Sequence, residues 1–560
     1  MPLFSIVVPV YKPEPHLLAQ TIESVRKQKC GDWELLLVDD CSDNPEVTKV
    51  LQKKSQLDSR IRFQTRSKNG GIVAASQDAL NMAGGKWIVL LDHDDLLTKD
   101  ALQAVSEAIL AHPKAGYIYS NEDKTDESGI KHWDTFQKPK WSPERLRHQM
   151  YLGHLSVLRA DLVKQVGGFR PGYDGSQDHD LALRVTELCE EVVHIPKVLY
   201  HWRAVKGSTA DNPNEKDYAS VSGLKAVNDH LQRVGRPHDK AVMSSLPHTY
   251  DTIRYLNPDI RVSVIIPTRG TAATIWGERR VMVTEAVRSL LQHTDHENLE
   301  IVVVYDSDTP AEVVADLDRI AGDKFVGVRY DKPFNFSEKC NDGFVHSTGQ
   351  YVLFMNDDMQ VNSDRYIEQM CSLLNEEDLG ATGAYLVYED ESIQHVGLIF
   401  IRDDLRHPYR ELSSQTNGYF SELRVNHEVS GVTGACMAMR RDVYEEVGGF
   451  SEDLPNNFND VDLCYKIRST GRRIVWLSDV RLYHFESKSR VNNVQSWEIG
   501  RIFGIWGMPK QDPYMPYVAM HGATVDNRSL PRRIASRIKR AIKVLIGTQR
   551  WNVPPSQFEQ

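Results

Sequence analysis

The stretch "VLLDHDDLL", Val89 to Leu97, closes an apolar run with three aspartates in four residues. Carboxylates this close repel one another, and they cost free energy when buried without partners. A hydrophobic strand ending in D-x-D suits a divalent cation: oxygens from alternate residues converge on Mg2+ or Mn2+, and the ion bridges phosphate oxygens. The pair here is Asp92 and Asp94, with Asp95 beside them. A surface turn explains most isolated D-x-D sequences, so the motif needs company. It has some. "LLLVDDCS" ends an earlier apolar run, and its Asp40 could accept the N3–H of uracil or thymine. "SQDHDLALR" opens a helix-like stretch; Asp178 there could act as a general base toward an acceptor hydroxyl, and Asp180 reads as a helix cap. "LYHWR" ends a strand on His201, a candidate third metal ligand.

The elements that must carry these residues occur twice. "FSIVVPV" recurs as "VSVIIPT", "ELLLVDDCS" as "EIVVVYDSD", and "KWIVLLDHDD" as "QYVLFMNDDM". Further on, "VGGFRPGYDGSQDHDLALRV" is answered by "VGGFSEDLPNNFNDVDLCYKI", and "VLYHWR" by "RLYHFE". Five matches in one order imply two tandem copies of one domain. The second copy is longer, and the extra length is expected in Tyr385 to Glu428. Each copy alternates short β-branched strands with amphipathic helices, the pattern of a mostly parallel α/β sheet whose site lies beyond the carboxyl ends of the strands. The acidic clusters fall at those ends. The expected organisation is a first domain over 1–206, a helical connector over 207–260, a second domain over 261–490, an extension over 491–531 and a tail over 532–560.

Composition narrows the class. A chain of 560 residues needs more than one core, and a net charge of −10 disfavours nucleic acid as a partner. The seven cysteines are scattered and never spaced C-x-x-C, which predicts free thiols rather than a zinc site or a disulfide framework. "MPLFSIVVPVYKPEP" lacks a basic flank and reads as a buried strand, not a signal peptide. No apolar run reaches the ~18 residues that would span a bilayer.

The ordered set resembles glycosyltransferase family 2, the inverting transferases of GT-A fold, over roughly residues 3–210 and 261–490. In the first copy it comprises "SIVVPVY", "LLVDDCS", "NGGIVAASQDALNMAGGKWIVLLDHDD", "GHLSVLRADLVKQVGGF", "QDHDLALR" and "LYHWRAVKGSTA". In the second it comprises "VSVIIPT", "PFNFSEKCNDGFVHSTGQYVLFMNDDMQV", "IQHVGLIF", "GACMAMRRDVYEEVGGF", "NDVDLCYKIRSTG" and "LYHFESKSR". The tandem arrangement is similar to bacterial O-antigen and rhamnan assembly transferases. The resemblance implies two Rossmann-like GT-A domains that use nucleotide-sugar donors with Mg2+ or Mn2+; Asp40 and Asp306 suit uridine or thymidine, while guanine also presents an N–H and keeps a GDP-sugar open. Asp40 and Asp306 would bind the base, with Tyr11 and Thr268 near the nucleoside. Asp92 and Asn356 would face the donor, Asp94 and Asp358 the metal, with His201 and His484 completing the metal or diphosphate site. Asp178 and Asp460 would be the catalytic bases. Two departures stand out: the acid usually preceding the base is Gln177 or Asn459, and the first D-x-D position of the second copy is Asn356.

Two other readings compete. The nucleophilic DxD of haloacid dehalogenases continues with Thr or Val and opens the first strand, whereas "DHDD" follows a later strand and continues "LL". Alternatively, one copy is a non-catalytic sugar- or nucleotide-binding module. Finally, "RRIASRIKRAIKVLIGTQRW", Arg532 to Trp551, has seven Lys or Arg and no acid, with Ile534, Ile538, Ile542 and Leu545 on one helical face. Such a basic amphipathic helix suits an anionic membrane surface. It would fit a peripheral enzyme at the cytoplasmic face of the inner membrane with a lipid-linked, undecaprenyl-type glycan acceptor.

Overall fold

The computed structural model describes residues 1–204, 217–401, 404–485, 494, 496–507 and 509–521. The basic tail, 532–560, lies outside the described residues. The chain divides into two compact units, Met1–Ile253 and Arg254–Gln560.

The first unit is built on a sheet of β1 (Phe4–Val10), β2 (Trp33–Asp39), β3 (Ile61–Thr65), β4 (Trp87–Leu90), β5 (Leu96–Leu97), β6 (Ala115–Thr125), β7 (His132–Phe136), β8 (Ser156–Arg159) and β9 (Glu191–Arg203). The spatial order is β3-β2-β1-β4-β8-β6-β9-β5, with β7 beside β6. Strands β3, β2, β1 and β4 are mutually parallel. They read as unbroken apolar runs because helices cover both faces of such a sheet. Beyond β4 the sheet turns mixed: β8 is antiparallel to β4 and β6, while β9 runs parallel to β6. The crossover helices begin on proline, Pro15–Arg26 and Pro45–Leu57, where the missing N–H costs nothing.

The second unit repeats the order with the strands 325–330, 299–306, 262–268, 351–355, 436–440, 379–387, 473–484 and 359–361. Alternate residues of its central strand face opposite cores. Val264 and Ile266 join one apolar cluster and Ile265 the other, all fully buried. In the first unit the helix Asp217–Arg233 packs on Gln177–Thr186, and its Asp229 accepts from Arg170 and Tyr173. All seven cysteines are free.

One polar device appears in both units. Ser5 on β1 donates to Glu34 on β2 at 2.6 Å and accepts from Gly85 N at 2.8 Å, while Glu34 also accepts from Gly84 N at 2.7 Å. In the second unit Ser263 donates to Glu300, Gly349 N donates to Ser263 at 2.7 Å, and Thr348 N donates to Glu300 at 2.5 Å. A Cβ on Gly85 would meet Ser5 N at 2.7 Å, and one on Gly349 would meet Ser263 Oγ at 2.4 Å, so both turns require glycine. Burial alone would raise each glutamate's pKa; the donors outweigh it and hold both below the usual carboxylate range. Such a group stabilises the fold above its unfolded pKa and loses that contribution as pH falls through its lowered folded value.

Glu300→Ala strands the buried Ser263 hydroxyl and the Thr348 N–H, while Gly349 N keeps Ser263 Oγ. It should therefore cost the second unit about 2–4 kcal/mol, about 1–3 per unsatisfied group with partial rescue by water. Urea unfolding at pH 7 should show that loss, and the gap to the unmodified chain should shrink toward pH 3.

Candidate active site

Both acidic turns lie where the central parallel strands end, and the first turn splits its charges among different tasks. Asp95 is fully buried; it accepts from Tyr200 Oη at 2.5 Å and Arg203 N at 2.7 Å, clasping the turn to the end of β9. Burial, then Asp94 and Asp92 nearby, push its pKa well up. Asp94 is raised in the same way, burial first. Asp92 is 41% exposed, and its Oδ2 lies 3.6 Å from His154 Nε2. The His154 ring stacks on Tyr200, centroids 4.6 Å apart.

Asp92, His154 and Asp178 line one cleft, floored by Pro9 and Leu91 at the ends of the central strands. Asp178 stands in the first turn of the helix Gln177–Thr186 and accepts from Gln177 Nε2 at 3.3 Å. Burial raises its pKa to about 6; His154 opposes the shift and Asp92 adds to it. Asp180 is not a cap. It is buried in ion pairs with Arg170 and Arg184, each at 2.6 Å, because its position inside the helix points it at those side chains rather than at the helix's own N–H groups.

Asp40 is buried and well supplied with donors: Arg66 Nη1 at 2.7 Å, Gly70 N at 2.9 Å and Gly71 N at 2.8 Å. It thereby anchors the start of the helix Gly71–Met82. Nearby Tyr11 is exposed, with Lys12 Nζ 5.3 Å from its ring centroid. Lys12 N donates to Ser42, which donates to Asp39, joining the turns after β1 and β2.

The second unit brings its sequence-predicted residues closer together. His484 Nε2 lies 3.1 Å from Asp358 Oδ1 and 3.4 Å from Asn356 Nδ2. Lys339 donates to Asp306 and to Thr268 O, both at 2.6 Å, and Thr268 donates to Asp357 at 2.6 Å. Burial raises Asp357 to about 6. Asp460 accepts from Gly434 N at 3.1 Å and Val461 N at 2.8 Å. The short strands pair Leu96 with His201 but Met359 with His484, so the second acidic turn is one residue shorter than an ungapped match gives. The carboxylate clasped to the histidine strand is accordingly Asp95 in the first unit and Asp358 in the second.

Several residues escaped the sequence reading. His201 Nδ1 meets Asp123 Oδ1 at 2.6 Å, and His132 joins them in a cluster whose candidate ligand atoms lie within 4.8 Å of one another. His484 Nδ1 lies 2.6 Å from Gln394 Nε2. The signal was present: "DESGIKH" (126–132) recurs as "DESIQH" (390–395). His132 and His395 are 263 apart, whereas His154 and Ala435 are 281 apart, so the extra length begins after His395 rather than at Tyr385.

Residues 5–167 and 263–448 match Glycosyl transferase family 2. Each unit has the GT-A arrangement of a parallel half-sheet followed by mixed strands, and the chain belongs to glycosyl transferase family 2. It is 39% identical over 495 residues to the uncharacterized protein y4gI of Sinorhizobium fredii, covering 87% of this chain and 54% of that one. It is 32% identical over 520 residues to the O-antigen biosynthesis protein RfbC of Myxococcus xanthus, covering 92% and 40%. The chain thus spans about half the length, or less, of these relatives. Among solved structures, S. aureus TarS 1-349 is 18% identical with a TM-score of 0.32, covering 41% of this chain and 73% of that one.

Asp95→Ala removes the acceptor that joins the acidic turn to β9 and leaves Tyr200 Oη and Arg203 N without it. The expected cost is about 1–3 kcal/mol, visible as a lower thermal midpoint. Tyr200→Phe should show a smaller loss of the same sign.

Proposed function

We propose that the chain is a bifunctional inverting glycosyltransferase. Each unit would move a sugar from a nucleotide donor, UDP- or dTDP-linked, onto a growing bacterial cell-surface polysaccharide. The observation that carries this is the cleft of the first unit, where the D-x-D residue Asp92 and the carboxylate Asp178 face one space at the ends of the central strands. The likeness to an O-antigen biosynthesis protein supports the polysaccharide setting.

In the first site the acceptor hydroxyl attacks the anomeric carbon from the face opposite the diphosphate. The bond from carbon to diphosphate oxygen breaks as the new C–O bond forms, and the hydroxyl proton passes to Asp178. With a pKa of about 6, Asp178 is ionised at neutral pH yet basic enough to receive that proton. Asp460 has the same duty in the second site. Asp40 and Asp306 hold the base beside Tyr11 and Thr268, each oriented by its own cation, Arg66 or Lys339. Asp94 with His201, and Asp358 with His484, form the set that would hold Mg2+ or Mn2+. Carboxylate oxygen and imidazole nitrogen are donors these ions accept, and Asp358 and His484 already meet. A divalent cation held there would offset the charge that grows on the leaving diphosphate. Asn356 favours a second reading in which the second unit binds sugar or nucleotide without transferring it.

Among the described residues no helix is long and apolar enough to cross a membrane. We assign membrane contact to the basic segment Arg532 to Gln560, which would bring the sites to a lipid-linked acceptor at the cytoplasmic face.

A nucleotide-sugar screen, read as nucleoside diphosphate release, tests the whole reading. Asp178→Asn should lower one transfer by about 10²–10⁴-fold and spare the other, with Asp460→Asn doing the reverse. The first transfer should fall about tenfold per pH unit below about 6, because Asp178 must be deprotonated. A unit whose variant loses no transfer is not a transferase. Deleting Arg532 to Gln560 should release the protein from anionic vesicles, since each basic residue there contributes about 1 kcal/mol at low salt, and should spare transfer to a soluble acceptor. Equal vesicle binding by the intact and shortened chains would overturn the membrane assignment.

A further inference from the structure

We propose that Asp123 and Gln394 are positioning residues for the two strand-end histidines, and that the difference between them makes the first site bind a divalent cation more tightly than the second. The proposal rests on the reading that His201 and His484 serve the cation.

The two histidines occupy matching places, each opposite the short strand that follows an acidic turn. In both, Nδ1 is engaged by a side chain at 2.6 Å, but the chemistry differs. Asp123 is a carboxylate and can only accept. His201 therefore carries its proton on Nδ1, which leaves Nε2 as the lone-pair nitrogen and makes the ring a stronger electron donor. Asp123 arrives from β6, directly across from His201 in the parallel pairing of β6 with β9, so the backbone sets the contact.

Gln394 is neutral, and its amide nitrogen is the atom that faces His484 Nδ1. A side-chain amide can donate or accept at this distance, so it fixes neither tautomer of the ring, and Nε2 faces both Asp358 Oδ1 at 3.1 Å and Asn356 Nδ2 at 3.4 Å. Gln394 therefore neither holds the ring proton on Nδ1 nor makes the ring a stronger electron donor. Asp123 does both for His201. Asn356, where the first copy has Asp92, removes a further negative charge from the second site. Both differences act in the same direction.

The cluster of Asp123, His132 and His201 is the rival location for an ion in the first unit. The 2.6 Å contact between Asp123 and His201 is a direct hydrogen bond, and His132 Nδ1 stands back at 3.4 Å. The structure thus assigns Asp123 to the histidine ring.

The test is direct Mn2+ binding to the full-length protein, without nucleotide, followed by the electron paramagnetic resonance of free Mn2+. His484→Ala isolates the first site and His201→Ala the second. The first should bind at least about tenfold tighter. Asp123→Asn should loosen it by about 10–100-fold. Gln394→Glu, which gives the second histidine a carboxylate, should tighten the second site by about tenfold; a purely structural role for Gln394 would not produce a gain. Equal affinities, or indifference to both substitutions, would overturn the proposal. So would a His132→Ala loss as large as that of His201→Ala, which would place the ion in the cluster. Absence of Mn2+ binding in the unmodified chain would overturn the cation reading itself; binding that ignores Asp123 and Gln394 overturns this proposal alone.

Discussion

The serine–glutamate clamp fixes the register on which everything else in each unit depends. Glu34 on β2 and Ser5 on β1 both take hold of the turn that starts β4, and Glu300 and Ser263 do the same in the second unit. A parallel strand rises about 3.3 Å per residue, so a fixed start dictates where the strand ends. A slip of one residue would turn every β4 side chain to the opposite face. Asp92 and Asn356 follow on that fixed length. Their placement is set at the far end of the strand, through groups that play no part in the chemistry. The clamp tolerates burial because each acceptor lone pair meets a donor, whereas a half-satisfied version would cost more than an apolar contact.

The frame holds charge at the strand ends by dividing the work. Asp95 is sacrificed to structure: fully buried, it fastens β9 and keeps His201 near the turn. Asp92 stays half exposed and faces the cleft. Asp178 comes from a helix rather than a strand, so its burial is set independently of the turn. Lys138 supports the same cleft from beneath: fully buried, it donates to Glu122 at 3.0 Å and to the carbonyls of Leu152 and His154 at 2.6 and 2.5 Å. The backbone that carries His154 is thereby anchored by a charge that is itself paired.

The tandem repeat, the parallel half-sheets and the strand-end acids were legible in the sequence because each rests on a local pattern. Unbroken β-branched runs announce doubly covered strands, and the acids that terminate them need no long-range knowledge. The mixed half of each sheet was not legible, since β6, β8 and β9 pair across long separations and their direction is set by packing. Asp180 was misread because an acid in the first helical turn commonly caps it, and only the fold reveals Arg170 and Arg184 beside it. Asp123 and Gln394 gave weak local signals, because their roles exist only through a ring more than seventy residues away. The repeated "DES" segment marks that neighbourhood without revealing which side chain meets the histidine.

The two units keep one frame and differ at the side chains that would meet substrate. The serine, glutamate and glycine of the clamp recur unchanged, and so do the strand order and the strand-end histidine. Arg66 beside Asp40 gives way to Lys339 beside Asp306, which replaces a forked guanidinium with a single ammonium that also reaches Thr268. Where the first cleft carries His154, the second has Ala435, and the neighbouring Gly434 instead donates its N–H to Asp460. An imidazole can require a hydrogen-bonding group on its ligand, and a methyl group cannot. A frame fixed by buried contacts leaves such positions free to change without disturbing the fold. On the reading of two transferases, these differences are where the two reactions would diverge in donor or acceptor.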